Sequence, residues 1–343
     1  MKPLKPSIVG LAALAGVSAQ AQQGLSPEEL TASLLPYASD KDAVTLPDGR
    51  KFNFTCMGEG SPTVILTAGM GDFAGMAWAN VQPEMAKITK VCAWDRPGWG
   101  LSDGGEGEHT VATTTAALEA ALATGAIPGP YVMVGHSLGS LESLLFADRH
   151  RDAVVGMVLV DPSVPNQDVL VERVAPALGG GNSEEPPVVR GLRLCAAEIR
   201  RAAESGGDPP SQCFSYPPFF PSALSAAFAA KVRNPIQYET QASFLTNTDH
   251  FTLAANPARN YGDMPLVVLS ATDRTPPPNE TAEAQAQRVA FTQALDRAHD
   301  DLAALSTRGA KIPVQAGHYI QRSRPDVVVE AVARVVDEAR AAR

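Results

Sequence analysis

Short, continuous apolar runs alternate along the chain with longer stretches that repeat apolar residues at helical spacing. Seven runs are predicted as strands, at residues 51–56, 62–68, 91–94, 130–134, 154–160, 265–269 and 312–314. Because most of them are apolar throughout, they are typical of strands that a parallel sheet buries on both faces. Helices are predicted between them, at residues 76–88, 113–124, 138–149, 282–305 and 325–342. The pattern therefore predicts an α/β fold with a mostly parallel sheet flanked by helices.

The alternation stops between residues 162 and 260. This stretch holds Gly179-Gly180-Gly181 and a proline-dense segment at residues 216–221, together with amphipathic pieces such as residues 189–203. It contains no clear strand, so we expect a helical insertion above the sheet. Further along, Pro276-Pro277-Pro278 predicts a rigid turn.

The first 21 residues have the three parts of a secretory signal. Lys2 and Lys5 precede a short apolar stretch at residues 8–17, and Ala19-Gln20-Ala21 supplies a small-residue cleavage site. This order predicts a signal peptide at residues 1–21 and a secreted or periplasmic protein. A short N-terminal helix is the alternative interpretation.

Size and charge restrict the partners. The chain has 343 residues, enough for one large domain or two smaller ones, and a net charge of −9 from 28 basic and 37 acidic residues. No basic block interrupts this acidic balance, which argues against nucleic acid or an anionic membrane surface as a partner. No apolar run reaches the roughly 18 residues of a membrane-spanning helix. The oligomeric state is not predicted.

Export changes the interpretation of the four cysteines. Cys56, Cys92, Cys195 and Cys213 form an even set, and an oxidising compartment permits disulfides. Cys195 and Cys213 lie 18 residues apart in one insertion, so we expect Cys195–Cys213 and, by elimination, Cys56–Cys92. Four buried free thiols are the alternative. No Cys/His cluster indicates a metal site, and no metal or organic cofactor is expected.

The sharpest chemical signal is the G-x-S-x-G pattern of Gly135-His136-Ser137-Leu138-Gly139, which lies between a predicted strand and a predicted helix. This context is the one in which a tight turn exposes a nucleophilic serine. The serine needs a general base, and His318, after the last predicted strand, lies at the same edge of the sheet. His136 is expected to pack beside the turn. His109, His150 and His299 are expected to be solvated, while His250 is expected either to line a pocket or to lie at the surface.

The carboxylate that orients the histidine has two candidates. Asp273 and Asp161 each follow a predicted strand whose end reaches the same edge. Chain order and the surrounding turn favour Asp273, and Asp161 is the alternative acid. The candidate without this role is expected to bond backbone amides in a loop. The oxyanion donors are expected to be the backbone N–H groups of Leu138, directly after the serine, and of Met70 in a glycine-rich turn.

Together these residues resemble the α/β-hydrolase superfamily, in order along residues 45–342. The resemblance rests on residues 69–71, 95–102, 135–139, 158–162 and 317–318. It implies an α/β-hydrolase fold, an eight-stranded sheet with a helical cap inserted after strand six. The core would comprise residues 22–161 and 261–343, and the cap residues 162–260. The D-R-P-G-x-G-x-S segment at 95–102 is usually structural in this family. One departure is Ala68-Gly69, where the family usually has His-Gly.

The resemblance also implies an activity. Secreted members with a serine nucleophile are commonly esterases or lipases, so a small apolar or amphipathic ester is the expected substrate. Haloalkane dehalogenases and epoxide hydrolases use aspartate as the nucleophile, and Ser137 counts against both. Hydrolysis of an amide, lactone or carbon–carbon bond is open, as is a ligand-binding protein on a hydrolase scaffold.

Overall fold

The computed structural model describes residues 26–178, 185–247, 249–275 and 280–342. Its strands are β1 (Val44–Thr45), β2 (Lys51–Phe52), β3 (Phe54–Met57), β4 (Thr63–Thr67), β5 (Val91–Trp94), β6 (Tyr131–His136), β7 (Val154–Val160), β8 (Leu266–Ala271) and β9 (Gly309–Val314). Its helices are α1 (Pro27–Leu34), α2 (Ala74–Trp78), α3 (Gln82–Met85), α4 (Val111–Ala123), α5 (Gly139–Arg149), α6 (Gln167–Val174), α7 (Pro187–Ser205), α8 (Ser222–Lys231), α9 (Ile236–Thr246), α10 (His250–Leu253), α11 (Ala282–Ala303), α12 (Ile320–Ser323) and α13 (Pro325–Ala341). The predicted signal peptide, Gly179-Gly180-Gly181 and Pro276-Pro277-Pro278 lie outside the described residues.

Seven of the described strands form one sheet in the order β3-β5-β4-β6-β7-β8-β9. β3 is antiparallel to β5, and every other neighbouring pair is parallel. The mostly parallel sheet flanked by helices confirms the predicted fold class. As described, it has one strand fewer than the resemblance implied, since β1 and β2 pair with each other in a separate hairpin. The carboxyl ends of β4 to β9 meet at one edge, where ligands bind in sheets of this kind.

The first predicted strand divides at Asn53. Lys51 pairs with Thr45 in the hairpin, whereas Thr55 pairs with Ala93 in the main sheet. The buried Asn53 N–H donates to Ser102 Oγ at 2.8 Å, so a side chain replaces a ladder partner at this position. The other six predicted strands are present, two of them with the predicted ends (β5 and β7) and four with shifted ends. The predicted helix at residues 76–88 is instead two short helices, α2 and α3.

Helices cover the sheet through their apolar faces. Val328, Val332, Val335 and Val336 of α13 are fully buried, each worth about 1.5–3 kcal/mol of stability. A Cβ at position 156 in β7 would lie 2.4 Å from Val335 Cγ1, so Gly156 permits this close packing. No helix within the described residues is both long and apolar enough to cross a membrane.

The chain between β7 and β8 is helical, as predicted, and its described residues contain no strand. Polar contacts fasten α9 to the loop after β5. Gln237 Nε2 donates to Ser102 O at 2.8 Å, and Thr240 Oγ1 accepts from Gly105 N at 2.9 Å. These bonds join the helical segment to the turn of the D-R-P-G-x-G-x-S motif.

The four cysteines form two disulfide bonds. Cys56 and Cys92 are direct partners on β3 and β5, and Cys195 on α7 is bonded to Cys213 in the 3₁₀ helix Ser211–Phe214. These are the pairs that the spacing favours, and all four cysteines are used.

Candidate active site

Ser137 lies at the turn between β6 and α5. Its φ of 51° places it in the left-handed region, which residues with a side chain adopt at a cost of about 1–2 kcal/mol. Three backbone hydrogen bonds hold this conformation. The Ser137 N–H donates to Val160 O at 3.1 Å, and the Ser137 carbonyl accepts the N–H groups of Ser140 and Ser163 at 3.0 Å each. Strain held in this way is typical of functional residues.

The two glycines of the motif are required by close approach of the backbone. A Cβ on Gly135 would lie 2.5 Å from Gly139 O. A Cβ on Gly139 would lie 2.4 Å from Ala68 O and 2.5 Å from Thr67 O. The turn therefore packs directly against the loop that follows β4. A side chain at position 139 would push the turn and this loop apart, and one at position 135 would push β6 away from the start of α5.

His318 contacts the serine. Its Nε2 lies 3.0 Å from Ser137 Oγ, and its Nδ1 lies 2.6 Å from Asp161 Oδ2. A carboxylate accepts, so Nδ1 carries the proton and donates to Asp161. The lone pair of Nε2 is then free to accept the hydroxyl proton of Ser137. This tautomer is the one that a general base needs.

The favoured acid, Asp273, does not reach His318, and the alternative, Asp161, does. Asp273 is exposed, and its Oδ1 accepts from Thr275 N at 3.2 Å and from Thr275 Oγ1 at 2.5 Å. It thus bonds its own loop, the arrangement expected of the candidate without the orienting role. Asp161 has a φ of 40° at the end of β7, the strand between those that carry Ser137 and Asp273, and this turn brings its carboxylate to the histidine.

The ionised form of Asp161 is stabilised by its surroundings. Burial alone would raise the pKa of Asp161, but the hydrogen bond from His318 and the ion pair with Arg274 hold that pKa well below its ordinary value. Arg274 donates to both carboxylate oxygens, at 2.9 and 2.6 Å, and Ala271 N donates at 3.0 Å. The sequence analysis did not identify Arg274 as a site residue. Its position next to the candidate acid Asp273 was the only signal for it in the sequence.

The backbone N–H groups of Leu138 and Met70 have no acceptor among the described residues. Leu138 precedes the first residue of α5, so its N–H is one of the free donors at the start of that helix. Met70 lies in the loop of residues 68–71, here called the 68–71 loop. A Cβ on Gly69 would lie 3.4 Å from Ser137 Cβ, so this loop passes directly over the serine. One free N–H is thus next to Ser137 in the chain, and the other is in the loop that passes over it.

His136 packs beside the turn, as predicted. It is fully buried, its ring lies 4.7 Å from that of His318, and its Nε2 donates to the His318 carbonyl at 3.0 Å. Burial and the neighbouring His318 lower the pKa of His136 well below its ordinary value, so the ring is neutral. It therefore supports the loop that carries His318 without adding charge.

The prediction that His109 and His299 are solvated was wrong. His109 Nε2 donates to a backbone carbonyl at 2.9 Å, and the fully buried His299 bonds Ser270 Oγ at 2.8 Å and Pro162 O at 2.9 Å. His250 is also buried and accepts from Val111 N at 3.1 Å, whereas His150 is exposed. Each buried ring finds a backbone partner that the surrounding sequence does not reveal.

A cavity of about 690 Å³ opens beside the 68–71 loop. Gly71 at one end of this loop lines it, together with Asp72, Phe73 and residues between 211 and 241 of the helical segment. The only charged residue in its described lining is Asp72, which is paired with Arg322 at 3.3 Å. Aromatic side chains form much of the wall: Phe73, Trp99, Tyr216, Phe220, Phe228 and Tyr238. The described residues contain no cluster of His, Cys, Asp and Glu that could hold a metal ion.

Comparison with known proteins identifies the class. The profile of the Alpha/beta hydrolase family matches residues 64–331, and the chain belongs to this family. Among curated proteins it is similar to an uncharacterized protein of Schizosaccharomyces pombe, with 42% identity over 90 residues, which are 26% of this chain and 17% of that protein. The chain spans less than half of the length of the curated relatives it matches.

Solved structures share the fold. A putative lipase from Acinetobacter baumannii AYE is 15% identical, with a TM-score of 0.58 over 93% of this chain and 98% of that one. A thermophilic esterase from Thermogutta terrifontis is 18% identical, with a TM-score of 0.52 over 87% of this chain and 98% of that one. At these identities the likeness concerns the fold alone.

Proposed function

We propose that this protein hydrolyses carboxylic esters through an acyl-enzyme on Ser137, with His318 as the general base and Asp161 as the acid that orients it. The observation that carries the proposal is the unbroken chain of contacts, 3.0 Å from Ser137 Oγ to His318 Nε2 and 2.6 Å from His318 Nδ1 to Asp161. The left-handed backbone of Ser137 and the strongly lowered pKa of Asp161 support it, because strained backbones and perturbed pKa values cluster at functional sites.

Each step has a group to perform it. Ser137 Oγ attacks the ester carbonyl carbon while His318 Nε2 takes the hydroxyl proton. The tetrahedral intermediate collapses, the bond to the leaving oxygen breaks, and His318 returns the proton to the departing alcohol. Water then attacks the acyl-enzyme, again losing a proton to His318, and the carboxylic acid leaves as Ser137 regains its hydrogen.

The negative charge on the carbonyl oxygen needs donors during both attacks. The N–H groups of Leu138 and Met70 flank Ser137, and neither has another acceptor in the described part of the chain. A single donor of this kind contributes about 10²–10³ to the rate in serine hydrolases. Asp161 remains ionised throughout and stabilises the imidazolium of His318 as it forms.

The cavity that adjoins the 68–71 loop through Gly71 supports an apolar substrate. Its volume of about 690 Å³ falls in the range of small-molecule sites. Because the one acid of its described lining is already paired and six of its lining residues are aromatic, it favours an uncharged, apolar acyl group. Residues between 211 and 241 of the helical segment line the cavity, which fits the assignment of residues 162–260 as a cap over a core of residues 22–161 and 261–343. The two disulfides are compatible with secretion or a periplasmic location.

Burst kinetics test the proposal. The wild-type protein and Ser137→Ala are mixed with p-nitrophenyl acetate, butyrate, octanoate and benzoate, and p-nitrophenol release is followed from the first turnover. We expect turnover by the wild type alone, with a burst equal to the enzyme concentration wherever deacylation is the slower step, and with the larger apolar acyl groups preferred.

A Ser143→Ala variant is the matched control, since Ser143 is a buried serine on α5 whose hydroxyl donates to Gly139 O, at 3.0 Å, within the same helix. It should retain wild-type turnover. Turnover that survives in Ser137→Ala, or a wild type inactive on every ester, would overturn the proposal.

A further inference from the structure

A buried ion pair lies directly behind the serine turn. Arg96, after β5, and Glu142, in the first turn of α5, have side chains that are 2% and 0% exposed. Arg96 Nε lies 2.8 and 2.9 Å from the two carboxylate oxygens of Glu142. Thr114 Oγ1 also donates to Glu142. The Glu142 carboxylate, on the helix that follows the nucleophile, thus holds the Arg96 guanidinium in one orientation.

The outer nitrogens of Arg96 reach the 68–71 loop. Nη1 donates to Gly69 O at 2.9 Å, and Nη2 donates to Ala68 O. These two carbonyls belong to consecutive peptide groups, and the second group is the Gly69–Met70 peptide. Since that peptide is trans, its C=O and N–H point in opposite directions. The bond from Arg96 to Gly69 O therefore turns the Met70 N–H away from Arg96.

We propose that the Arg96–Glu142 pair is a positioning unit that aims the Met70 N–H at the developing oxyanion. This inference rests on the proposed function and extends it to two residues that touch no substrate. A planar fork is needed, because one cation must bond two carbonyls and a carboxylate at once, and a lysine ammonium cannot span them.

Two variants remove the positioning in different ways. Arg96→Lys keeps the charge opposite Glu142 but loses the fork. The double variant Arg96→Met with Glu142→Met removes both charges together, so no unpaired charge is left buried. The matched controls change the pair of Arg259 and Asp148, at the far end of α5. There Arg259 also bonds a carboxylate, at 2.7 Å, and a backbone carbonyl, at 2.9 Å.

The readout compares p-nitrophenyl benzoate with its thionobenzoate analogue, because a C=S sulfur accepts hydrogen bonds poorly and gains little from an oxyanion donor. We expect both Arg96 variants to lower kcat for the oxygen ester by about 10²-fold with KM changed less than about threefold. The preference for the oxygen ester over the thiono ester should shrink at least tenfold. Arg259→Lys and the Arg259→Met, Asp148→Leu double variant should keep both values.

Other outcomes decide against the inference. Wild-type kcat in both Arg96 variants, an unchanged oxygen-to-sulfur preference, or equal losses in the Arg259 controls would overturn it while leaving the ester-hydrolase proposal in place. A wild type that hydrolyses neither ester refutes the proposed function, and the inference falls with it. Thermal unfolding of every variant identifies losses that come from the fold, which would lower activity toward both esters alike.

Discussion

Replacing Asp161 by asparagine tests which carboxylate serves His318. In the Asp161→Asn variant, the new amide would present an N–H₂ or a C=O to His318 Nδ1 in place of an ionised acceptor. If the amide donates, the His318 proton moves to Nε2, and the ring can no longer accept the hydroxyl proton of Ser137. If the amide accepts, the imidazolium that forms during attack loses the negative charge now held 2.6 Å away. The donating amide thus leaves His318 unable to act as the general base, and the accepting amide leaves the imidazolium less stable in the transition state.

The size of the effect follows from the chemistry of such pairs. In a serine protease with a Ser-His-Asp triad, exchanging the orienting carboxylate for its amide lowers kcat by about 10⁴-fold. Since each factor of ten corresponds to about 1.36 kcal/mol, the activation barrier rises by about 5 kcal/mol. The cost in stability is smaller. Arg274 loses its partner, but its side chain is 24% exposed, so water solvates part of the freed charge and the loss stays below the about 3–5 kcal/mol of breaking a fully buried pair.

The assay is steady-state hydrolysis of p-nitrophenyl benzoate at about pH 7.5 by the wild type, Asp161→Asn and Asp273→Asn. We expect kcat to fall about 10⁴-fold in Asp161→Asn, and less than about threefold in Asp273→Asn, whose exposed carboxylate bonds Thr275 in its own loop. Urea unfolding of the three proteins shows whether each is folded. A larger loss in Asp273→Asn than in Asp161→Asn would refute the assignment of the acid.

Three further predictions concern stability and the cavity. Gly139→Ala should lower the free energy of unfolding by about 1–3 kcal/mol, measured in urea, because the new methyl would lie 2.4 Å from Ala68 O; an unchanged midpoint would contradict this. The Cys195→Ser, Cys213→Ser double variant should raise KM for octanoate more than for acetate at similar kcat, because Cys213 lines the cavity; equal KM changes would count against it. Unfolding should become easier as the pH falls from about 7 to about 5. Burial lowers the folded-state pKa of several histidines, so the unfolded chain binds protons below about 6.5 that the folded chain does not, and each contributes up to about 1.4 kcal/mol per pH unit. These are His109, His136, His250 and His299. A flat unfolding free energy over this range would show that they are accessible.

Much of the site could be predicted because short stretches of sequence determine it. The pattern around Ser137 needs only two glycines and a strand-to-helix context, and the structure shows why, since backbone atoms lie where their side chains would be. The position of His318 follows from parallel strands ending at one edge. The disulfide pairs follow from spacing, and the predicted strands from continuous apolar runs.

The acid could not be chosen from the sequence. Asp161 and Asp273 follow adjacent strands at the same edge, and the strand pattern does not determine which carboxylate turns inward. The choice depends on the φ of 40° at Asp161 and on Arg274 reaching back from the next strand across 113 residues. Both are tertiary features.

Arg96 was overlooked for a different reason. Its motif is typical of a structural turn, and its partner Glu142 lies 46 residues later, on α5. Nothing in the spacing of the two residues indicates a contact. Only the folded chain reveals that this turn also bonds the carbonyls of the 68–71 loop.

The most direct test of the central claim is covalent trapping of the nucleophile. The protein is treated with diethyl p-nitrophenyl phosphate, released p-nitrophenol is measured, and the modified peptide is identified by mass spectrometry. The account predicts one p-nitrophenol per protein and a diethylphosphoryl group on Ser137, with no label in Ser137→Ala and strongly slowed labelling in Asp161→Asn. Stoichiometric labelling of another residue, or an unlabelled protein that still hydrolyses esters, would contradict it.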